Sequence, residues 1–337
     1  MLKNSSLVSV VLPVYNAEKT LKFTIDSILT QKGNFELICV NDASTDTSLE
    51  ILKSYKHYSN FKIIDLDKNG GVSHARNIGL SVSDGEMVMF IDADDAFPSN
   101  LFEQIENLSL DNDLIIFNYK KVYKLSTLKP EVVISQGIKV SSEDCQSSLV
   151  GLKCNSKLNT RMTSVWGKIF KKSILTNNNI KFDENICIGE DSIFLYEFYE
   201  YSRKIVYYDL VGYYYYMNPL SVTHTFQPNM IENDKNWQNA FKKLIERLPY
   251  NSLSENYINY SIARGILNIC YLNIAYKYSK LSFVEILNSI ARLFEQKPYC
   301  EYNFDNLDSF YGKDKLILRL LKSKLYVIVS FVFYLNR

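Results

Sequence analysis

The chain has 337 residues, of which 47% are hydrophobic and 22% charged, so it can bury a full core and is not disordered. At about 150 residues per domain there is room for two domains. Lys and Arg total 38 against 37 Asp and Glu, a net charge of +1, which excludes a generic polyanion binder and nucleic acid as a partner.

The first hundred residues alternate between two periods. Val8 to Tyr15 is a short β-branched run that reads as a buried strand. Asn16 is placed to cap a helix from Ala17 to about Gln31, with apolar positions at Leu21, Ile25, Ile28 and Leu29. Glu36 to Asp42 is the second strand. Thr47 and Glu50 have capping-box spacing and open a helix to about Tyr55. Lys62 to Asp67 is the third strand, Gly70 and Gly71 turn into a helix over about Ser73 to Val82, and Met87 to Asp92 is the fourth strand. This alternation predicts a parallel sheet with helices on both faces.

The middle is mixed. Asp113 to Tyr123 and Glu131 to Ser135 read as strands, Ser141 to Leu152 and Asp191 to Ser202 as helices, and Ile205 to Asp209 as a further strand. From about Met230 the spacing is helical, with segments at Asn256 to Tyr278 and Leu281 to Glu295. The expected organisation is a domain over residues 1–225, split near 110 into donor-side and acceptor-side halves, and a helical region over 226–337.

The six cysteines form no CxxC pair and there are three histidines, a poor basis for a structural zinc site. Free cysteines fit a reducing compartment, and the N-terminus shows no basic, hydrophobic and cleavage-site sequence of a signal peptide, so a cytoplasmic location is expected. Leu325 to Leu335 is almost wholly apolar but too short to span a bilayer, which needs about 20 residues. It is either a buried C-terminal element or, with Lys315, Arg319, Lys322 and Lys324, an interfacial one that makes 313–337 a peripheral membrane contact.

Ligands of open parallel sheets bind beyond the carboxyl ends of the strands. Here those ends carry Tyr15-Asn16, Asn41-Asp42, Asp65 to Asp67, and Asp92-Ala93-Asp94-Asp95. Converging carboxylates are costly unless a cation or a hydrogen-bonded ligand compensates them. Three carboxylates in four residues after an apolar strand point to Mg²⁺ or Mn²⁺ bridged to a diphosphate. The competing reading is that Asp94 or Asp95 caps the helix that follows.

These blocks, in this order, resemble the family 2 glycosyltransferases of GT-A fold: Val8 to Asn16, Val40 to Asp46, Asn69 to Asn77, and Asp92 to Asp95 as the DxD element, followed by Trp166-Gly167-Lys168 and Gly189-Glu190-Asp191. The resemblance covers about residues 7–225. It implies an α/β, Rossmann-like, mostly parallel sheet flanked by helices, with the helical appendage beyond it. It also implies an inverting, metal-dependent transfer of a sugar from a UDP-sugar to a glycan or lipid-linked acceptor of a bacterial surface polysaccharide. Pro13, Val14 and Tyr15 would shape the nucleotide pocket, and Asp42 would accept from the uracil N–H or else cap the next turn. Arg76 would lie near the diphosphate or make a helix-surface ion pair. Asp92, Ala93 and Asp94 would meet the donor. Asp94, Asp95 and His224 would be metal ligands, Trp166 would meet the acceptor, and Asp191, with Glu190 as the fallback, would be the general base. The competing reading is that both carboxylates simply cap the helix Ser192 to Glu200. His74 and Asp46 read as helix surface and cap.

The remaining tyrosines, from Tyr207 to Tyr216, read as strand residues alternating between core and solvent. No GxGxxG turn follows the first strand, which disfavours a dinucleotide oxidoreductase, and no Gly-rich basic loop supports a nucleotidyltransferase. A catalytically inactive sugar-nucleotide or glycan binder is the alternative that the acidic clusters argue against.

Overall fold

The structure is a computed structural model that describes residues 8–106, 108, 111–124, 137–149, 162–218, 225–248, 252–276, 280–304 and 307–335. In chain order the elements are β1 (Val8–Val14), α1 (Leu21–Leu29), β2 (Phe35–Asn41), α2 (Ser48–Ser54), β3 (Phe61–Asp65), α3 (Val72–Ser81), β4 (Met87–Phe90) and α4 (Leu101–Glu106). They continue with β5 (Leu114–Val122), β6 (Ile138–Val140), α5 (Ser142–Leu149), β7 (Lys168–Lys171), α6 (Lys172–Asn177), α7 (Glu190–Tyr201) and β8 (Ile205–Tyr216). The helices α8 (Met230–Arg247), α9 (Ser252–Ile269), α10 (Phe283–Leu293), α11 (Gly312–Lys322) and α12 (Tyr326–Leu335) complete the chain. The expected strand at Glu131 to Ser135 lies outside the described residues.

The strands form one eight-stranded sheet in the order β3-β2-β1-β4-β7-β5-β8-β6. Pairs β1·β2, β1·β4, β2·β3 and β5·β8 are parallel, while β7 runs antiparallel between β4 and β5 and β6 is antiparallel to β8. The α/β, mostly parallel architecture is the expected one.

Val10, Val11 and Leu12 of β1 are fully buried, as a strand covered on both faces requires. Proline in so central a strand is unusual. Here the amides of Val8 and the carbonyl of Val14 face β2, so the alternation aims the Pro13 nitrogen toward β4. Pairing with β4 stops at Val11, so no ladder bond is lost. Helix α3 packs directly on β1, and a Cβ on Gly79 would come within 2.4 Å of Val11 Cγ1, so glycine permits that close approach.

Some local readings are corrected. The first helix starts at Leu21, not Ala17: Asn16 takes a left-handed φ of 48°, and its Oδ1 accepts from the Thr45 amide instead of capping. Thr47 and Glu50 form no capping box: the Thr47 hydroxyl donates to Glu18 Oε2, and Asp46, one residue before the N-cap, accepts from the Ser48 amide on Oδ1. The tyrosine run does not follow a short strand but extends β8 to Tyr216. There Tyr207, Tyr213 and Tyr214 are buried, and Tyr208, Tyr215 and Tyr216 are half-buried. Strand β7 is an addition to the expected elements.

The described residues fall into two compact units. The first holds the sheet with α1–α4, α6 and α7. The second holds α8–α12 and the end of α5 from Gln146, with the main division after Asn218.

Within the second unit, Asp234 of α8 is buried against Gly265 of α9, where a Cβ would meet its Oδ1 at 2.0 Å. Burial pushes its carboxyl from 3.8 up to about 7, against the lowering effect of the Tyr299 hydroxyl and Gln238. The folded state then holds a proton that the unfolded chain has released. Stability is therefore expected to fall as pH rises from about 4 to about 7 and to level off above. Asp234→Asn should remove that slope, read as urea midpoints across the same range.

Candidate active site

The site lies past the carboxyl ends of β1, β2 and β4, where three loops and two helix starts meet. Arg76, in the second turn of α3, is its centre. The residue is 4% exposed. Nη1 donates to Glu190 Oε1 and to Asp191 Oδ1, and Nη2 to Asp92 Oδ1, each at 2.9 Å. Its guanidinium also lies 5.2 Å from the Phe182 ring centroid. Burial alone would pull the guanidinium pKa down. Asp191, Asp92 and Glu190 outweigh that and hold it up. Arg76 is therefore neither a surface ion pair nor a group waiting for phosphate: it is committed to three carboxylates 16, 114 and 115 residues away.

Local sequence explains how those carboxylates arrive. Gly189 takes a left-handed φ of 92° at the N-cap of α7, which turns Glu190 and Asp191 into the first helical turn, where the helix dipole favours negative charge. Neither side chain caps the helix. Asn77 of α3 holds the incoming segment with its Nδ2 on the Phe182 carbonyl and its Oδ1 on the Phe182 amide. His74, expected on the helix surface, pairs with Glu184 at 3.0 Å. The Asp191 carboxylate accepts a second bond, to Oδ2, from the Val165 amide.

Glu190 and Asp191 are both pushed above the usual carboxylate range, by burial first and by neighbouring negative charge, with Arg76 opposing. Glu190 rises to about 8. The pair therefore shares a proton near neutral pH.

The acidic loop after β4 divides its labour. Asp92 turns to Arg76. Asp95, expected to be a metal ligand, is 1% exposed, and both its oxygens are engaged: Oδ2 by the Tyr213 hydroxyl at 2.6 Å and Oδ1 by the Tyr216 amide at 2.8 Å. Burial, then Asp92 and Asp94, push its pKa well up, which marks a carboxyl built into the fold. Asp94 is half-buried and accepts from Asn218 Nδ2 on Oδ2 and from its own backbone amide. Burial and Asp92 push it up as well, an imbalance that a cation would relieve. The Ala93 carbonyl is taken by the Thr20 and Thr24 hydroxyls of α1.

Pro13 and Val14 are buried, and Val14 belongs to the core. Tyr15 is 51% exposed and presents its ring beyond the strand end. Asp42 is buried, and its oxygens accept from the Gly70 and Gly71 amides at 2.7 and 2.8 Å, so it holds the glycine turn that starts α3. Trp166 is 5% exposed and stacks on Tyr213 and Tyr215 at 4.6 and 5.4 Å, so it packs the sheet where an acceptor platform was expected. His224 lies outside the described residues. The Arg76 cluster was missed as a cluster: only the proximity of the individual motifs to strand ends could have signalled it.

Among the described residues, no three His, Cys, Asp or Glu side chains converge as a ready metal cage. The donor set still fits Mg²⁺ or Mn²⁺, which commonly takes one or two protein carboxylates and completes its shell with phosphate and water. Asp94, with hard oxygens and uncompensated charge, suits that role, and Asp92 adjoins it. Three buried polar atoms without partners, Asn41 Oδ1, Ser73 Oγ and Arg76 Nε, lie on β2 and α3 next to these loops.

Residues 9–147 match the model of Glycosyl transferase family 2. The chain belongs to glycosyl transferase family 2. One relative within the family is the poly(ribitol-phosphate) beta-glucosyltransferase of Bacillus spizizenii, 34% identical over 203 residues, 59% of this chain. This chain spans only 30% of that relative's length. Among solved structures, Staphylococcus aureus TarS 1-349 in complex with UDP-GlcNAc superposes with a TM-score of 0.66 and 20% identity, over 97% of this chain and 90% of that one. The mannosyltransferase PcManGT of Pyrobaculum calidifontis, in complex with GDP-Man and Mn²⁺, gives a TM-score of 0.51 at 15% identity, over 98% and 87%. At such identities the structural likeness establishes the GT-A fold of this family 2 chain.

Proposed function

We propose that the chain is an inverting glycosyltransferase that moves a sugar from a UDP-sugar to a glycan or lipid-linked glycan acceptor of a bacterial surface polymer. The observation that carries the reading is the convergence of Asp92, Glu190 and Asp191 on buried Arg76, with Asp94 adjoining, at the carboxyl ends of a parallel sheet. Family membership supports the reaction class. The TarS structure with UDP-GlcNAc and the Pyrobaculum enzyme with GDP-Man support a nucleotide-sugar donor, and the relative acting on poly(ribitol-phosphate) supports a polymer acceptor.

In this reading Asp191 takes the proton of the acceptor hydroxyl. The freed oxygen forms a bond to the anomeric carbon from the face opposite the diphosphate. The bond from that carbon to the diphosphate oxygen breaks, its electron pair leaves with UDP, and the anomeric centre inverts. Arg76 keeps Asp191 oriented, and the Val165 amide fixes its other oxygen. A base is most effective with a pKa near the working pH, and burial raises Asp191 in that direction. Asp94, beside Asp92, would hold a divalent cation. When bound, that cation neutralises charge on the leaving diphosphate. Tyr15, exposed beyond β1, offers a stacking face for the base.

A thermal-shift panel of sugar nucleotides, with and without Mn²⁺, tests the assignment. A UDP-sugar with Mn²⁺ is expected to raise the melting temperature by about 5 °C or more at saturating ligand. Asp94→Asn should abolish the metal-dependent part. The absence of a shift with every UDP-sugar would overturn the donor assignment.

A further inference from the structure

The second unit carries an apolar surface that the chemistry above does not use. Among the described residues of α12 none is charged, and Val329, Ser330 and Phe333 pack inward while Val327, Ile328, Phe331, Tyr334 and Leu335 are each 46–65% exposed. At 100° per residue these five fall within about 120° of the helix circumference, one continuous stripe. Leu325, at the start of the helix, is 42% exposed, and Leu316 on α11 is 54% exposed. The ten residues of α12 are too short to cross a bilayer, and no helix among the described residues is long and apolar enough to do so.

The surrounding sequence is predominantly basic, although Lys315 is paired with Asp308 at 2.8 Å. Between Tyr311 and Leu335 there are five basic side chains, Lys313, Lys315, Arg319, Lys322 and Lys324, and a single acid, Asp314. That acid is already engaged by Arg264 at 3.1 Å and by the Tyr271 hydroxyl at 2.9 Å. Lys313, Arg319, Lys322 and Lys324 are exposed. Lysine is depleted from protein–protein interfaces, whereas an apolar stripe edged by lysine and arginine is the composition of a helix that lies in a membrane interface.

We propose that the α11–α12 hairpin docks on an anionic lipid surface, with Val327, Ile328, Phe331 and Leu335 entering the headgroup–acyl boundary and Lys313, Arg319, Lys322 and Lys324 meeting phosphate headgroups. The full chain should co-sediment with phosphatidylcholine vesicles containing 30% phosphatidylglycerol, a composition chosen as about that of an anionic leaflet, and far less with phosphatidylcholine alone. The double variant Ile328→Glu/Phe331→Glu should bind about ten-fold more weakly or worse, and Arg319→Glu/Lys322→Glu should lose the preference for the anionic lipid. Both pairs are on the surface, so far-UV dichroism and melting should be unchanged.

Phe331→Trp supplies a direct reporter, because Trp166 and Trp237 are buried. Its emission should shift to the blue on adding anionic vesicles. No co-sedimentation and no blue shift would overturn the proposal. So would light scattering that shows a dimer broken by Ile328→Glu/Phe331→Glu, which would make a second copy the occupant of this face.

Discussion

Asp191→Asn should bind UDP-sugar as tightly as the parent and lose glycosyl transfer by about 10²–10⁴-fold, the usual contribution of a positioned base. The amide is isosteric but cannot take the acceptor proton. It also accepts from only one of the two donors that hold Asp191, Arg76 Nη1 and the Val165 amide, and turns its own N–H toward the other. A modest loss of thermal stability should therefore accompany the loss of rate, without altering the nucleotide affinity measured by calorimetry. Glu190→Gln is the control. Burial and Asp191 push Glu190 up to about 8, and glutamine mimics its neutral form. That variant should stay within about ten-fold of the parent. Near-parental transfer by Asp191→Asn would remove Asp191 as the base, and an inactive Glu190→Gln beside it would move the role one residue back. The parental rate should fall with acid at a higher pH than an ordinary carboxylate would give, because burial raises Asp191 and the base must be ionised.

Arg76→Met is expected to be the most destabilising single change in the sheet unit. It removes a guanidinium that meets Asp92, Glu190 and Asp191 and leaves three crowded carboxylates without a counter-charge, a loss of about 3–5 kcal/mol. The sign of its pH dependence follows from linkage. Without Arg76 the Glu190 and Asp191 carboxyls rise further above their unfolded values, so the folded variant takes up protons that the unfolded chain does not. Its stability then falls as pH rises, and the gap to the parent should widen from pH 5 to pH 8 in denaturant titrations. Arg76→Lys should recover little, since one ammonium cannot reproduce the fork that meets three acids. A gap that stays constant with pH would mean that packing on Phe182, and not charge, accounts for the loss.

The strand ends and their polar residues were legible because hydrophobic runs bounded by Asp, Asn and Gly set the topology of a parallel sheet. β1 to β4 were placed within a residue or two of their observed ends. What was not legible is which carboxylate meets which partner. Arg76 and Glu190 are 114 residues apart, and no spacing rule connects them. Trp166 and Asp42 were assigned by motif to ligands and prove to be packed or hydrogen-bonded within the fold, because the residue types that contact sugars and bases also serve well as core and turn. Strand β7 was missed for a similar reason: four residues after a Trp-Gly pair carry little periodicity, and their strand identity comes from being wedged between β4 and β5.

The Tyr213 hydroxyl donates to Asp95 while the Asp92 amide donates to it, so the acidic loop after β4 hangs from a strand that the chain reaches some 120 residues later. The stretch that carries the family match ends at residue 147. A truncation there would keep β1–β4 and every residue of the acidic loop yet lack Tyr213, Glu190 and Asp191. The matched stretch is thus not a detachable cassette. Grafted onto another protein it would carry the motif letters without their geometry, and a nascent chain acquires a working loop only after β8 has emerged and paired.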